Sequence, residues 1–275
     1  MAHTEEKPGS TGRTAERNLP GLEALVRGEY PNPFEILGPH WIERHGHPHL
    51  AIRGYRPGAT EMTIVATTAQ ESYSTERIHA AGAFEGLLPA DLANAVPGEA
   101  AEPGTYRLRF RFEHGAVEAF DPYAFPALLT DFDLHLFTEG THYLKYEKLG
   151  AHVRDVDGVR GVHFALWAPN ALRASVVGDF NGWDGRAHAM RPRTGGLWEI
   201  FVTGLDEGAI YKFEILSSQA RHLLLKSDPY GFRAEVRPNT ASVVCNIDGY
   251  RWQDAEWLAA RATPEIGRAS CRERV

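Results

Sequence analysis

Apolar and polar residues alternate with a period of two through much of this chain. Leu50 to Tyr55, Met62 to Thr67, Tyr106 to Phe112, Val162 to Trp167, Ala174 to Phe180, Leu197 to Val202, Tyr211 to Ile215 and Ser242 to Ile247 are β-branched or aromatic runs of strand length. Clusters of Gly, Pro, Asn and Asp separate them, as turns between half-buried strands require. This cadence predicts antiparallel sandwiches. The period changes in two places. Leu22, Leu25 and Val26 take helical spacing within Gly21 to Arg27, and Pro31-Asn32-Pro33 ends that helix. Between the two groups of strands, Leu134, Phe137, Leu144 and Leu149 recur near helical spacing, which predicts a helical connector within Thr130 to Gly150.

The two groups of strands repeat one another. Tyr106-Arg107-Leu108-Arg109-Phe110 precedes Asp121-Pro122-Tyr123-Ala124-Phe125, and Tyr211-Lys212-Phe213-Glu214-Ile215 precedes Asp228-Pro229-Tyr230-Gly231-Phe232. Upstream, Ile52-Arg53-Gly54-Tyr55-Arg56-Pro57-Gly58-Ala59 aligns with Phe164-Ala165-Leu166-Trp167-Ala168-Pro169-Asn170-Ala171. The first pair of motifs lies 107 positions apart (121 to 228) and the second 112 (57 to 169). Offsets of that size mean a duplicated domain, since solenoid units run about 20 to 50 residues. The expected fold is all-β: two tandem immunoglobulin-like β-sandwiches joined by a helical connector. The expected boundaries are a disordered leader at 1–18, a first sandwich at 19–128, the connector at 129–155, a second sandwich at 156–257 and a tail at 258–275.

Composition narrows the function classes. At 275 residues, 43% hydrophobic and 24% charged, the chain has the makings of two cores. The formal charge of −7, with no basic stripe interleaved with aromatics, argues against a nucleic-acid partner. Apolar runs such as Ala174 to Val177 are far short of the ~20 residues that cross a bilayer, so no membrane partner is expected. Two cysteines, Cys245 and Cys271, make no disulfide framework, and Met1 to Pro20 has no apolar signal-peptide core; a cytoplasmic setting is expected.

The chemistry-bearing motifs are few. Trp167-Ala168-Pro169-Asn170-Ala171 reads as a strand end and turn, and both Asp-Pro-Tyr motifs read as structural turns. Gly178-Asp179-Phe180-Asn181-Gly182-Trp183-Asp184 is sharper. Its tight turn puts Trp183 on a loop, where an indole either stacks on the apolar face of a sugar or packs beneath its own loop. Lys212 and Asn181 are the candidate hydrogen-bonding neighbours for sugar hydroxyls. His40, His45, His47 and His49 lie around Gly46 and Pro48 without the four-ligand spacing of a zinc site, so neither a metal nor another cofactor is expected. No catalytic residue is assigned, because nothing matches Gly-x-Ser-x-Gly, a phosphate loop or His-Glu-x-x-His.

Together, Asn32-Pro33-Phe34-Glu35-Ile36-Leu37-Gly38-Pro39-His40, Asp121 to Phe125, Leu134 to His142, Tyr146 to His152, Phe164 to Ala171, Gly178 to Trp183 and Lys226 to Tyr230 resemble the bacterial glycogen branching enzymes, over roughly residues 20 to 257. The resemblance implies that the second sandwich is a starch- and glycogen-associated carbohydrate-binding module, and the first a related domain of the long bacterial forms. In that family an α-amylase-type barrel follows. It cuts an α-1,4-glucan through a glycosyl-carboxylate intermediate and transfers the chain to a 6-hydroxyl. None of the barrel's catalytic positions occurs here, and residues after Trp257 have no barrel-strand pattern. The expected role is therefore a non-catalytic accessory region of a branching enzyme. It supports its own catalytic barrel and binds α-glucan weakly through Trp183, Lys212 and Asn181. The alternative is a stand-alone α-glucan-binding or structural docking module. Weak affinity is expected because Leu223-Leu224-Leu225-Lys226 stands where the best glycogen binders carry a second Trp.

Overall fold

The computed structural model describes residues 19–247, 249 and 251–261. The leader expected at 1–18 and residues 262–275 of the tail lie outside them. The first module opens with helix α1 (Leu22–Val26) and then strands β1 (Gly38–Arg44), β2 (His47–Tyr55), β3 (Glu61–Ala66), β4 (Ser72–His79), β5 (Ala83–Leu88), β6 (Tyr106–Arg111) and β7 (Ala116–Phe120). These form one antiparallel sheet in the order β1-β2-β5-β4-β3-β6-β7. Ser72 to Ser74 of β4 pair with β3, whereas Thr75 to His79 pair with β5. At that strand the sheet turns back on itself. Leu50, Ile52, Phe84 and Leu88 thereby pack into one cluster with Met62, Ile64, Leu108 and Phe110. The layers meet closely at Gly54, where a Cβ would run into the Met62 sulfur and the Phe110 ring.

The second module is a sandwich of two sheets. β8 (Gly150–Val156), β9 (Val159–Trp167), β11 (Arg191–Arg193) and β12 (Leu197–Thr203) form one, in the order β11-β12-β9-β8. β10 (Ala171–Gly178), β13 (Ile210–Ser217), β15 (Arg233–Ala234) and β16 (Ser242–Val243) form the other, in the order β10-β13-β16-β15, with β14 (Leu223–Lys226) also on β13. Val162, Phe164, Leu166, Ile200 and Val202 of one sheet face Ala174, Val176, Tyr211 and Phe213 of the other. The all-β sandwich expectation thus holds. Seven of the eight strands read from periodicity appear at nearly their expected places, while Ser242 to Ile247 pairs only at Ser242–Val243.

The strands without an apolar signature have physical reasons for lacking one. β7 is an edge strand whose first three residues are exposed, and β4 buries only Ile78. Neither needs a continuous apolar face. β8 pairs with β9 along its whole length from Gly150 to Val156, and the helical part of the connector is α2 (Asp131–Glu139). A separate C-terminal unit begins at Asn246 and contains helix α3 (Ala255–Arg261), where Arg261 lies over the Trp257 ring at 5.3 Å. Among the described residues, no helix is long and apolar enough to cross a membrane.

The duplicated Asp-Pro-Tyr motifs do the same structural job in both modules. The Tyr106 hydroxyl donates to Asp121 at 2.8 Å, and the other Asp121 oxygen accepts from the Tyr123 N–H at 3.0 Å. In the second copy Tyr211 donates to Asp228, whose second oxygen accepts from the Tyr230 N–H at 2.8 Å. Burial pushes the Asp121 carboxyl up to about 6, and it raises Asp228 in the same way. A buried tyrosine hydroxyl needs a partner, which explains why tyrosine and aspartate travel together through the repeat.

The modules share a core. Leu22, Leu25 and Val26 of α1, with Ile36, Leu37, Tyr55 and Tyr123, belong to the same buried cluster as Phe164, Val176 and Phe213 of the second sandwich. The five residues of α1 are too few to be helical alone; its buried face is what holds it. Tyr55 donates to the Val26 carbonyl at 3.2 Å, Phe34 meets Tyr123 edge-on at 5.0 Å, and Arg191 stacks over Phe34 at 3.9 Å.

The connector is tied down by two buried carboxylates. Thr130 and Asp133 form a capping box at the start of α2, and Gly140 closes it at φ 77°. Leu129, Leu134 and Leu149 pack on Ala165 and Leu197. Glu199 on β12 accepts from the N–H groups of Leu128 and Leu129 at 2.7 and 3.0 Å, and from His163 at 3.1 Å. Asp133 is held by Thr130, by His142 at 3.2 Å and by Lys148 at 3.2 Å. Burial alone would raise its carboxyl, but those hydrogen bonds outweigh it and hold the group down at about 2. A carboxylate depressed on folding stabilises the fold above its unfolded value near 3.8 and loses that contribution as pH falls toward about 2. Asp133→Asn is therefore expected to lower stability at neutral pH and to flatten its acid dependence between those limits. Urea titrations of both proteins across that range check this, and parallel curves would rule Asp133 out as the source.

Candidate functional site

The turn after β10 is built by its own side chains. Asn181 accepts from the Gly178 N–H at 3.0 Å, donates to the Val176 carbonyl at 2.9 Å and lies 3.0 Å from His188 Nδ1. Burial, aided by the charge of Arg56, pushes His188 well below the usual imidazole range. It is therefore neutral at pH 7, and its Nδ1 accepts from the Asn181 amide. The amide of Asn181 is thus fully engaged inside the turn.

That scaffold presents Trp183 in an unusual backbone state. Gly182 has φ 62° and Trp183 φ 61°, so two consecutive residues are left-handed. For a bulky residue this costs about 1–2 kcal/mol. The Trp183 N–H returns to the Gly178 carbonyl at 3.0 Å, and its indole Nε1 donates to Asp179 at 2.8 Å. The side chain is 37% exposed. Its ring stands at the surface with its polar edge anchored to Asp179. Strain of this kind at an exposed aromatic is characteristic of functional sites.

Lys212 does not converge on the ring by any direct contact. It pairs across the ladder with Val177, next to the Gly178–Tyr211 pair at the base of the turn, and its ammonium donates to Thr240 at 2.8 Å. The structure therefore joins Asn181 and Trp183 in one turn and places Lys212 on the neighbouring strand. Leu223 and Leu225, where a second Trp was sought, are exposed on β14 at 57% and 52%. They offer apolar surface without an aromatic face.

A groove of about 440 Å³ opens beside this turn, and its far wall belongs to the first module. Asp179, Phe180, Asn181, Gly182 and Asp184 line one side; Arg56, Pro57, Phe112 and Val117 line the other. It adjoins a cavity of about 230 Å³ between the modules, with Arg56, Val117, Phe180 and Ala187 common to both. The Asp184 carboxylate is held below its usual range by Arg186, which forks onto it at 2.6 to 3.2 Å. Sequence reasoning missed Asp179 and the whole first-module wall. A signal for the latter was present: in the internal alignment, Arg56 stands where the second copy has Ala168.

Comparison with known proteins places these features. The profile described as "alpha-1,4-glucan branching enzyme GlgB, N-terminal domain" matches residues 18–123, and "Carbohydrate-binding module 48 (Isoamylase N-terminal domain)" matches residues 148–231. The "1,4-alpha-glucan branching enzyme GlgB" of Paramagnetospirillum magneticum is 49% identical over 241 residues, covering 87% of this chain and 30% of its own length. The protein of the same name from Thermosynechococcus vestitus is 45% identical over 242 residues, with the same coverage of 87% and 30%. The chain therefore spans about a third of the length of these relatives. Among solved structures, pullulanase from Anoxybacillus sp. LM18-11 overlaps 74% of this chain and 27% of its own at 17% identity, with a TM-score of 0.33, too low to inform the fold.

Proposed function

This chain belongs to the α-1,4-glucan branching enzyme GlgB family through that family's N-terminal domain and a carbohydrate-binding module 48, and from that premise we propose that it holds α-glucan for a branching reaction carried out elsewhere in the full-length enzyme. The proposed reaction of the whole protein is transfer of an α-1,4-glucan chain to a 6-hydroxyl, in a cytoplasmic setting. The chain described here contributes no catalytic residue to it. The observation that carries the reading is Trp183, displayed on a strained, self-buttressed turn within the carbohydrate-binding module. In this reading Trp183 stacks on the sugar, Asn181 holds the turn that carries the Trp183 ring, and Lys212 contacts only a chain long enough to reach β13.

Retardation in a native gel containing glycogen tests this. Loss of the stacking ring in Trp183→Ala is expected to remove about 1.5 kcal/mol, roughly tenfold in affinity, and with it the retardation. Equal mobility of wild type and variant, both matching a glucan-free gel, would sink sugar binding through Trp183.

A docking role toward the proposed catalytic barrel is supported by the connector. Phe132, Tyr143 and Leu144 are exposed at 69%, 89% and 50%. Apolar side chains left open to solvent along one connector favour a role in docking.

A further inference from the structure

Arg56 follows the last residue of β2, and its backbone is fixed: its N–H donates to Gly82 at 3.0 Å and its carbonyl accepts from Ala59 at 3.1 Å. Arg56 lines both the outer groove and the inner cavity. Yet no hydrogen bond or ion pair from its guanidinium occurs among the described residues, and Asp184 is already taken by Arg186. Burial lowers its pKa, but an arginine keeps its charge throughout the physiological range. Five N–H donors on a half-buried cation with no protein acceptor are open to a ligand whose oxygen atoms displace water from the groove.

The groove also says what kind of molecule that is. An anion drawn to Arg56 would face the Asp179 carboxylate on the opposite wall, and a cation would face Arg56 itself. A neutral ligand carrying both donors and acceptors satisfies both walls. Phe112, Phe180, Pro57 and Val117 add the apolar surface on which a sugar ring lies. The groove adjoins the residues that hold the proposed stacking ring: Gly182 lines it and immediately precedes Trp183, and Asp179 lines it while accepting from the Trp183 indole.

We infer that the groove between the two modules takes an α-glucan chain running off the Trp183 ring, with Arg56 of the first module as its hydrogen-bonding residue. The inference rests on the glucan-binding reading above and deepens it. The sugar site belongs to both modules, and the first module has a binding role of its own. Arg56 compensates for the second tryptophan that β14 lacks.

Chain-length dependence separates this from a single-ring site. Calorimetric titration of the full chain with maltotriose and maltoheptaose is expected to show the longer sugar binding about tenfold more tightly, the gain of one charge-assisted contact region. Arg56→Ala is expected to lose that gain while maltotriose affinity stays within about twofold. Val117 is 46% exposed on edge strand β7, so Val117→Arg fills the groove without touching a core and is expected to do the same. That second variant decides the matter where Arg56→Ala fails to fold. Retention of the length gain in a folded Arg56→Ala and in Val117→Arg overturns the two-module site. If Trp183→Ala loses both sugars in that case, the glucan reading itself stands. No binding of either sugar by wild type overturns both. Displacement of maltoheptaose by inorganic phosphate, abolished by Arg56→Ala, makes the groove an anion site and overturns the inference.

Discussion

Glu199→Ala is expected to destabilise the chain by about 3–5 kcal/mol, the range for breaking a buried ion pair from one side. Glu199 is 2% exposed, and its two oxygens serve four donors: the Leu128 and Leu129 N–H groups, His163 and Arg193. Burial pushes its carboxyl up, but the His163 and backbone hydrogen bonds outweigh it and hold the group below its usual range. Alanine leaves the Leu128 and Leu129 N–H groups and His163 without that acceptor, and Arg193 with Asp131 at 3.9 Å as its remaining carboxylate. The damage should be local at first, because Leu128 and Leu129 are the point where the chain leaves the first module for α2. Urea denaturation gives the magnitude, and amide exchange at residues 128–134 should rise before global unfolding. A loss under about 1 kcal/mol would mean that water replaces the carboxylate cheaply. Glu199→Gln keeps one acceptor without the charge and should fall between the two.

Tyr123→Ala should separate the unfolding of the two modules. The ring is 7% exposed, lies in the shared core with Phe164 and Val176, meets Phe34 edge-on and donates to the Ala187 carbonyl at 3.5 Å. Removing a buried aromatic costs about 3–5 kcal/mol. Here the cost falls on the surface that joins one sandwich to the other. Wild type is expected to melt over residues 19–245 in one cooperative transition, since α1, Tyr55 and Tyr123 belong to the second module's core. In the variant, calorimetry should resolve two transitions, the lower one belonging to the first module. One sharp transition at a reduced temperature would show that α1 alone suffices for coupling. The same substitution should erase the chain-length gain in glucan binding, because Tyr123 lines the inner cavity that adjoins the groove.

Much of the candidate turn was legible in the primary structure, for a local reason. Asp179 to Trp183 is a self-contained turn whose hydrogen bonds run between residues at most seven apart, and so its identity is written in consecutive letters. The roles within it were less legible. Asn181 has the right chemistry to meet a sugar, but its amide is consumed by Gly178, Val176 and His188, a burden set by where His188 folds back. Arg56 is the converse case. Only its replacement by Ala168 in the second copy marks it, and only the docking of β2 against the second module's turn brings Arg56 to that groove.

By itself the sequence determined the all-β class, the duplication, the helical connector and the display turn. Each of these depends on periodicity or turn chemistry within a few residues, or on motifs compared letter by letter. Tertiary structure alone decided that β4 folds the first sheet back on itself and that α1 and Tyr123 complete the second module's core. It alone decided that Glu199 anchors the connector and that Arg56 faces Asp179 and Asp184. Those outcomes turn on side chains separated by tens of residues, whose burial and unmet hydrogen-bonding capacity exist only once the two sandwiches have closed on each other.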